Sequence, residues 1–201
     1  FRTADALGFG FVEIGTVTPL PQQGNPRPRV FRLPDDRAIL NRIGLASKGF
    51  ERVICNLRHP RKGIIIGCNI GKNSVTPTDD AAQDYLRVFR NLYQYVDYFT
   101  VNVSYNTTFK QYVPRTREAV CRILEPLFDF RRGQNQYRPI LLKISPDLTN
   151  DEVDTMTDIM METPLDGIVA TNATTRPSGL KTATDTLKRI GNGAVSGAPL
   201  T

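Results

Sequence analysis

Five short, almost unbroken apolar segments constrain this chain more than anything else in its sequence: residues 10–17, 63–70, 98–104, 139–145 and 167–171. Each is rich in Val, Ile, Leu or Phe and lacks the strict apolar/polar alternation of a sheet with one wet face. Strands covered on both faces read this way, and such strands belong to parallel sheets. Helical patterns lie between several of them. Thr76-Pro77 reads as a helix start, with Thr76 as N-cap, and Leu86, Phe89, Tyr93 and Val96 recur on its inner face. Residues 115–128 form a second helical stretch, which Pro126 is expected to interrupt. Thr149-Asn150-Asp151-Glu152 has the spacing of a capping box, with Val153, Met156 and Met160 following on one face. Strand–helix alternation of this kind predicts an α/β protein, read here as a single domain over residues 1–201.

Residues 19–34 break the pattern, because five prolines there remove donors and fix φ; a long loop without regular structure is expected. The chain has 201 residues, 40% hydrophobic and 23% charged, which suits a packed core rather than disorder. No apolar run is long enough to span a bilayer, and the opening Phe1-Arg2-Thr3-Ala4-Asp5 lacks the character of a secretion signal. The net charge of +6 comes partly from clusters such as Arg58-His59-Pro60-Arg61-Lys62. These are not interleaved with aromatics, so solvated loops rather than a nucleic-acid interface are expected. Cys55, Cys68 and Cys121 read as small core residues, and the single histidine, His59, as a surface residue; no metal site is expected.

What ends the strands carries the chemistry. Thr16 follows the first, Asn69 and Lys72 the second, Asn102 and Ser104 the third, Lys143 the fourth, and Thr171 and Asn172 the fifth. Parallel α/β folds build their sites at that C-terminal rim. Amides and hydroxyls with one lysine suit recognition of a heteroaromatic ring with carbonyl edges. Redox chemistry on such a ring needs a cofactor.

The run Gly8-Phe9-Gly10-Phe11-Val12-Glu13-Ile14-Gly15-Thr16-Val17-Thr18-Pro19, then Gly24-Asn25-Pro26-Arg27-Pro28-Arg29-Val30-Phe31-Arg32-Leu33 and Asn41-Arg42-Ile43-Gly44, resembles the quinone-dependent (class 2) dihydroorotate dehydrogenases. Asn69-Ile70-Gly71-Lys72-Asn73, Lys143-Ile144-Ser145-Pro146-Asp147-Leu148, Asp166-Gly167-Ile168-Val169-Ala170-Thr171-Asn172 and Ser196-Gly197-Ala198-Pro199-Leu200 follow in that family's order. The resemblance implies a (β/α)8 TIM barrel, with about five of the eight strands in this chain. It implies FMN at the rim and oxidation of dihydroorotate to orotate in pyrimidine synthesis, with electrons passing to a membrane quinone. A base would take a proton from C5 while C6 gives up a hydride. It further implies peripheral membrane contact through an upstream segment, on the inner face of a cell membrane or on the mitochondrial inner membrane.

Carried over by residue, the resemblance makes Thr16, Asn69, Asn102, Lys143, Thr171 and Gly197 flavin contacts. Asn41, Arg42, Ile43, Gly44, Leu45, Asn106, Asn172 and Ala173 fall in the substrate-binding segments, and Arg32 lies on the quinone side. The catalytic base falls at Ser104 or Tyr105. The family pattern Asn-x-Ser-Ser-Pro-Asn is shortened here to Asn102-Val103-Ser104-Tyr105-Asn106, Leu45-Ala46 replaces Phe-Asn, and Ala173 replaces a threonine. Two expectations stay open: an FMN-dependent dehydrogenase whose present chain is inactive by itself, or a non-catalytic barrel relative that binds FMN or a pyrimidine.

Overall fold

The computed structural model describes residues 2–58, 63–106, 111–112 and 114–200; the side chains of 2, 3, 105, 106, 111 and 112 are outside that description. His59 therefore lies outside the described residues. The five predicted strands form one parallel sheet. They are β1 (Phe11–Val17), β4 (Ile65–Ile70), β5 (Tyr98–Asn102), β8 (Ile140–Lys143) and β9 (Gly167–Val169), hydrogen-bonded in that order. A second sheet is antiparallel: β3 (Ala38–Asn41) lies between β2 (Val30–Leu33) and β10 (Ala194–Gly197). A short hairpin joins β6 (Tyr105–Asn106) to β7 (Gln111–Tyr112). The helices are α1 (Arg2–Ala6), α2 (Gly49–Leu57), α3 (Ala81–Leu92), α4 (Arg117–Arg132), α5 (Asn150–Glu162) and α6 (Thr184–Ile190).

The parallel register sorts the strand residues onto two faces. Ile66, Cys68 and Ile70 of β4, Phe99 and Val101 of β5, and Ile140 and Leu142 of β8 share one face. They pack against Tyr85, Val88, Phe89 and Leu92 of α3 and Val120, Ile123, Leu124 and Leu127 of α4. Each such side chain contributes roughly 1.5–3 kcal/mol when fully removed from water. This helix-covered face is the hydrophobic core. The other face carries Phe11, Glu13, Ile65, Gly67, Asn69, Tyr98, Thr100, Asn102, Leu141, Lys143 and Val169. It is open at its lower end, where Phe11 and Ile65 are 60% and 51% exposed, and polar at its upper end.

Several boundaries differ from the sequence reading. α3 begins at Ala81, not at Thr76-Pro77. The Lys72 ammonium donates to the carbonyls of Asn73 and Thr76, holding residues 73–76 as a separate turn. Tight turns follow, in which Asp80 N donates to Pro77 O and Ala81 N to Thr78 O. Pro126 does not interrupt α4, which runs through it to Arg132. Core side chains flank it on both sides, Ile123 and Leu124 before and Leu127 and Phe128 after, and their burial outweighs the roughly 3 kcal/mol cost of an internal proline. The proline-rich segment is only partly irregular, because Val30–Leu33 pairs with β3. Of the cysteines only Cys68 is buried; Cys55 is exposed.

The capping box at α5 is present. Thr149 Oγ1 accepts from Glu152 N at 3.3 Å, and Glu152 Oε2 accepts from Thr149 N at 2.8 Å. On that helix Met156 and Ile159 are buried, whereas Val153 is 41% exposed. Thr149→Ala is expected to cost about 1 kcal/mol, lowering Tm by about 2–4 °C in a protein of this size. A thermal melt that superimposes on the wild-type curve would show that the cap contributes nothing.

Candidate functional site at the strand tips

The C-terminal tips of the parallel strands frame a cavity of about 350 Å³, within the usual range for small-molecule sites. Glu13, Gly15 and Thr16 line it from β1, Asn69 from β4, Asn102 from the end of β5, and Lys143 from β8. Ser104, Asn172 and Ala173 close it from the loops that follow β5 and β9. The loop after β3 supplies Asn41, Arg42, Ile43, Gly44 and Leu45.

That loop is held from behind. Asn25 Nδ2 donates to Arg42 O at 2.9 Å, and Gln22 Nε2 to Leu45 O at 2.8 Å. The Arg42 guanidinium points toward α6, donating to Ile190 O at 2.6 Å and Asn192 O at 2.9 Å, and it lies over the Phe31 ring. Its charge is thereby spent on carbonyls of this chain. Asn41 donates to Ala194 O at 3.5 Å, tying the loop to β10. The loop after β9 is clamped by Asp147, whose carboxylate accepts from Thr175 N and Oγ1 and from Thr174 Oγ1. These bonds hold the Asp147 carboxyl below its ordinary range, against the upward pull of burial.

A continuous polar chain crosses the cavity floor. Thr16 Oγ1 donates to Asn69 Oδ1 at 2.6 Å, and Asn69 Nδ2 to Glu13 Oε1 at 3.0 Å. Asn102 Nδ2 donates to Thr16 Oγ1 at 3.2 Å, and Asn172 Nδ2 to Asn102 Oδ1 at 3.3 Å. Asn172 also donates to Ser104 O. Tyr85 in the core pins the end of β5 by donating to Asn102 O at 2.7 Å. Below the floor, Tyr98 lies across Gly67, where any Cβ would stand 2.0 Å from its ring, and so reaches Glu13 Oε2 at 3.2 Å. Burial and the neighbouring Glu13 carboxylate push the Tyr98 hydroxyl up to about 12, so it stays a donor at neutral pH. Lys143 is half-buried and, among the described residues, has no ion-pair or hydrogen-bond partner.

The structure thus brings Thr16, Asn41, Arg42, Ile43, Gly44, Leu45, Asn69, Asn102, Ser104, Lys143, Asn172 and Ala173 to one cavity. Two expected flavin contacts are not among its lining. Thr171 is exposed, its hydroxyl turned to Asn172 O. Gly197 lines a second concavity with Arg32, Leu33, Arg37 and Ile39, because β10 belongs to the antiparallel sheet. Tyr105 and Asn106 pair with Gln111 and Tyr112 in the hairpin beyond Ser104, and their side chains lie outside the description. Glu13 escaped sequence reasoning. The available signal was an acid inside an otherwise apolar strand; its register with Gly67 and, through it, Tyr98 appears only in the structure.

Amide N–H groups and an ammonium facing one cavity form a donor-rich wall. Such a wall fits a flat ring with acceptor edges, which is how an isoalloxazine or a pyrimidine presents itself. Among the described residues no group of three or more His, Cys, Asp or Glu is placed to hold a metal, and no helix is long and apolar enough to cross a membrane.

Comparison with known proteins points the same way. Residues 2–201 match the family model described as dihydroorotate dehydrogenase. The chain is 41% identical over its whole length to the dihydroorotate dehydrogenase (quinone) of Christiangramia forsetii, covering 58% of that protein. It is 44% identical over 97% of its length to the enzyme of the same description from Corynebacterium striatum, covering 52% of it. Among solved structures it resembles ligand-free DHODH from Eimeria tenella, with a TM-score of 0.81 and 32% identity, covering 96% of this chain and 58% of that one. The complex of DHODH from the same organism with ferulenol matches at a TM-score of 0.84 and 31% identity, over 96% of this chain and 57% of that one. The chain therefore spans just over half the length of the relatives it matches, and its five parallel strands are part of a (β/α)8 barrel.

Proposed function

From the premise that this chain belongs to the dihydroorotate dehydrogenase family, we propose that its strand-tip cavity is the flavin and pyrimidine site of a quinone-dependent enzyme. In that reading the chain is one domain, the central part of an FMN-binding barrel. The whole protein oxidises dihydroorotate to orotate in pyrimidine synthesis and passes the electrons to a membrane quinone. It sits peripherally on the membrane, through a segment outside the stretch described here. The observation that carries the reading is the convergence of Thr16, Asn69, Asn102 and Lys143 from four successive strands on one cavity.

The residues present fit the ring of FMN. Asn69 and Asn102 would offer N–H groups to its acceptor edge, and Lys143 would place a cation where negative charge accumulates on reduction. FMN, when bound, supplies the two-electron acceptor for the hydride leaving the substrate. Asn172 and the 41–45 loop would hold the pyrimidine. Thr171 and Gly197 remain assigned to flavin contacts by resemblance alone.

Ser104 has the best-supported place for the base. It is buried, lines the cavity, and is fixed by two backbone contacts: its N–H donates to Asn102 Oδ1 at 3.2 Å and its carbonyl accepts from Asn172. A hydroxyl so placed would take the C5 proton, provided that a base or water chain relays it onward. The β6–β7 pairing begins directly after it, at Tyr105.

The test is anaerobic addition of dihydroorotate to FMN-loaded, full-length protein. Bleaching of the flavin band is expected, slowed about 100-fold or more in Ser104→Ala. Flavin that stays oxidised with wild-type protein would favour the second reading, a non-catalytic relative that binds FMN or a pyrimidine. The changes at Tyr105, Leu45 and Ala173 are what support that alternative.

A further inference from the structure

The amide chain on the cavity floor has a definite sense, and something must set it. A carboxamide presents similar shapes in either orientation, and a threonine hydroxyl rotates freely, so neither fixes a direction by itself. A carboxylate does, because it only accepts. Glu13 is that group: it takes Asn69 Nδ2 on Oε1, and Thr100 Oγ1 at 2.7 Å together with Tyr98 OH on Oε2. Thr100 is wholly buried, so its hydroxyl has no solvent alternative.

Every later orientation agrees with it, and at the far end the Ser104 backbone N–H, which can only donate, holds Asn102 Oδ1 in the same sense. With Nδ2 turned to Glu13, Asn69 must offer Oδ1 to Thr16. With its hydrogen spent on Asn69, Thr16 can only accept from Asn102 Nδ2. Asn102 Oδ1 then faces Ser104 N and Asn172 Nδ2. Asn69 and Asn102 are each left with one amide hydrogen beyond the chain, and both residues line the cavity with Lys143.

We infer that Glu13 is a positioning residue that sets the donor sense of this chain, committing the cavity wall to ligands with an acceptor-rich edge. The identity of the ligand rests on the flavin reading above; the relay does not.

The experiment uses Glu13→Gln in the full-length protein, with two readouts. The first is the side-chain ¹⁵N–¹H resonances of Asn69 and Asn102 without ligand. The second is FMN affinity from fluorescence quenching. Glutamine keeps the shape but puts a donor where one acceptor was, so both pairs of resonances are expected to move while backbone amides of α3 and α4 stay. FMN affinity should fall about tenfold, and Glu13→Asp should recover part of it. Asn69 and Asn102 resonances at their wild-type positions would overturn the relay. Moved resonances with unchanged FMN affinity would overturn its link to the ligand. Moved resonances in a protein whose wild type takes up no FMN would support the relay and sink the flavin reading instead. Should Glu13→Gln fail to fold, Thr100→Val removes one donor from the carboxylate and should shift the same resonances by less.

Discussion

Replacing Lys143 with alanine is expected to weaken FMN binding by about 10–100-fold while leaving the fold intact. The magnitude comes from the roughly 1.5–3 kcal/mol assigned to hydrogen bonds with charged groups. The selectivity comes from where the residue sits. Lys143 ends β8 in register with Asn102 and Val169, and its neighbours Leu142 and Ile144 carry the packing. Among the described residues its ammonium has no hydrogen bond or ion pair to lose. A cation held beside a cavity without a partner of its own chain is placed for a ligand. Arg42 is the useful contrast: it also lines the cavity, but its guanidinium is engaged by Ile190 O and Asn192 O. Lys143→Ala should therefore show a wild-type melting curve and a much weaker FMN titration. Equal affinities for the two proteins would remove Lys143 from the site.

Gly15→Ala is expected to damage stability and binding together. Gly15 has φ +122°, a region in which only glycine is at ease, and a Cβ there would stand 2.4 Å from Asn69 O and 2.9 Å from Val17 N. Both obstacles are backbone, so neither can swing aside. The conformational cost alone is about 1–3 kcal/mol, and the crowding adds to it. A loss of about 3 kcal/mol corresponds to a Tm lower by about 6–12 °C in a protein of this size. Because Asn69 would have to retreat, FMN binding should weaken in the same variant. A melt within a degree of wild type would mean that the β1–β4 junction tolerates rearrangement there.

How far the sequence alone reached has a physical explanation. Near-continuous apolar runs leave an unmistakable trace, so β1, β4, β5, β8 and β9 were all legible, although β1 and β9 are only partly covered in this structure. The antiparallel sheet was not. Its strands have four residues each, and Val30 and Ile39 are 52% and 43% exposed, so neither run length nor alternation marks them. α2 and α6 went unread for a related reason: α6 has no fully buried residue, and α2 has only Gly49, Phe50 and Leu57. The start of α3 was misplaced because Thr76-Pro77 has the chemistry of a helix cap, but Thr76 closes a turn held by Lys72 and Pro77 opens a further turn ahead of the helix. Capping at Thr149 was legible because both of its partners lie within one turn.

The site divides along the same line. Residues at strand tips could be gathered from the rule that parallel strands end at the functional rim, and Thr16, Asn69, Asn102, Lys143 and Asn172 do converge. Thr171 shows the limit of that rule, since it lies just past the end of β9 and is exposed. Glu13 lies in the middle of β1, four residues before its end at Val17, where a rule about ends does not look. Its importance appears only when the register sets it beside Gly67 and brings Tyr98 and Thr100 within reach.

The central claim is that these side chains form a donor-lined seat for a flavin ring. A titration of FMN into the full-length protein, followed by quenching of flavin fluorescence, tests it most directly. Saturable one-to-one binding is the expected result. Fluorescence that stays at the level of free FMN throughout the titration would contradict it.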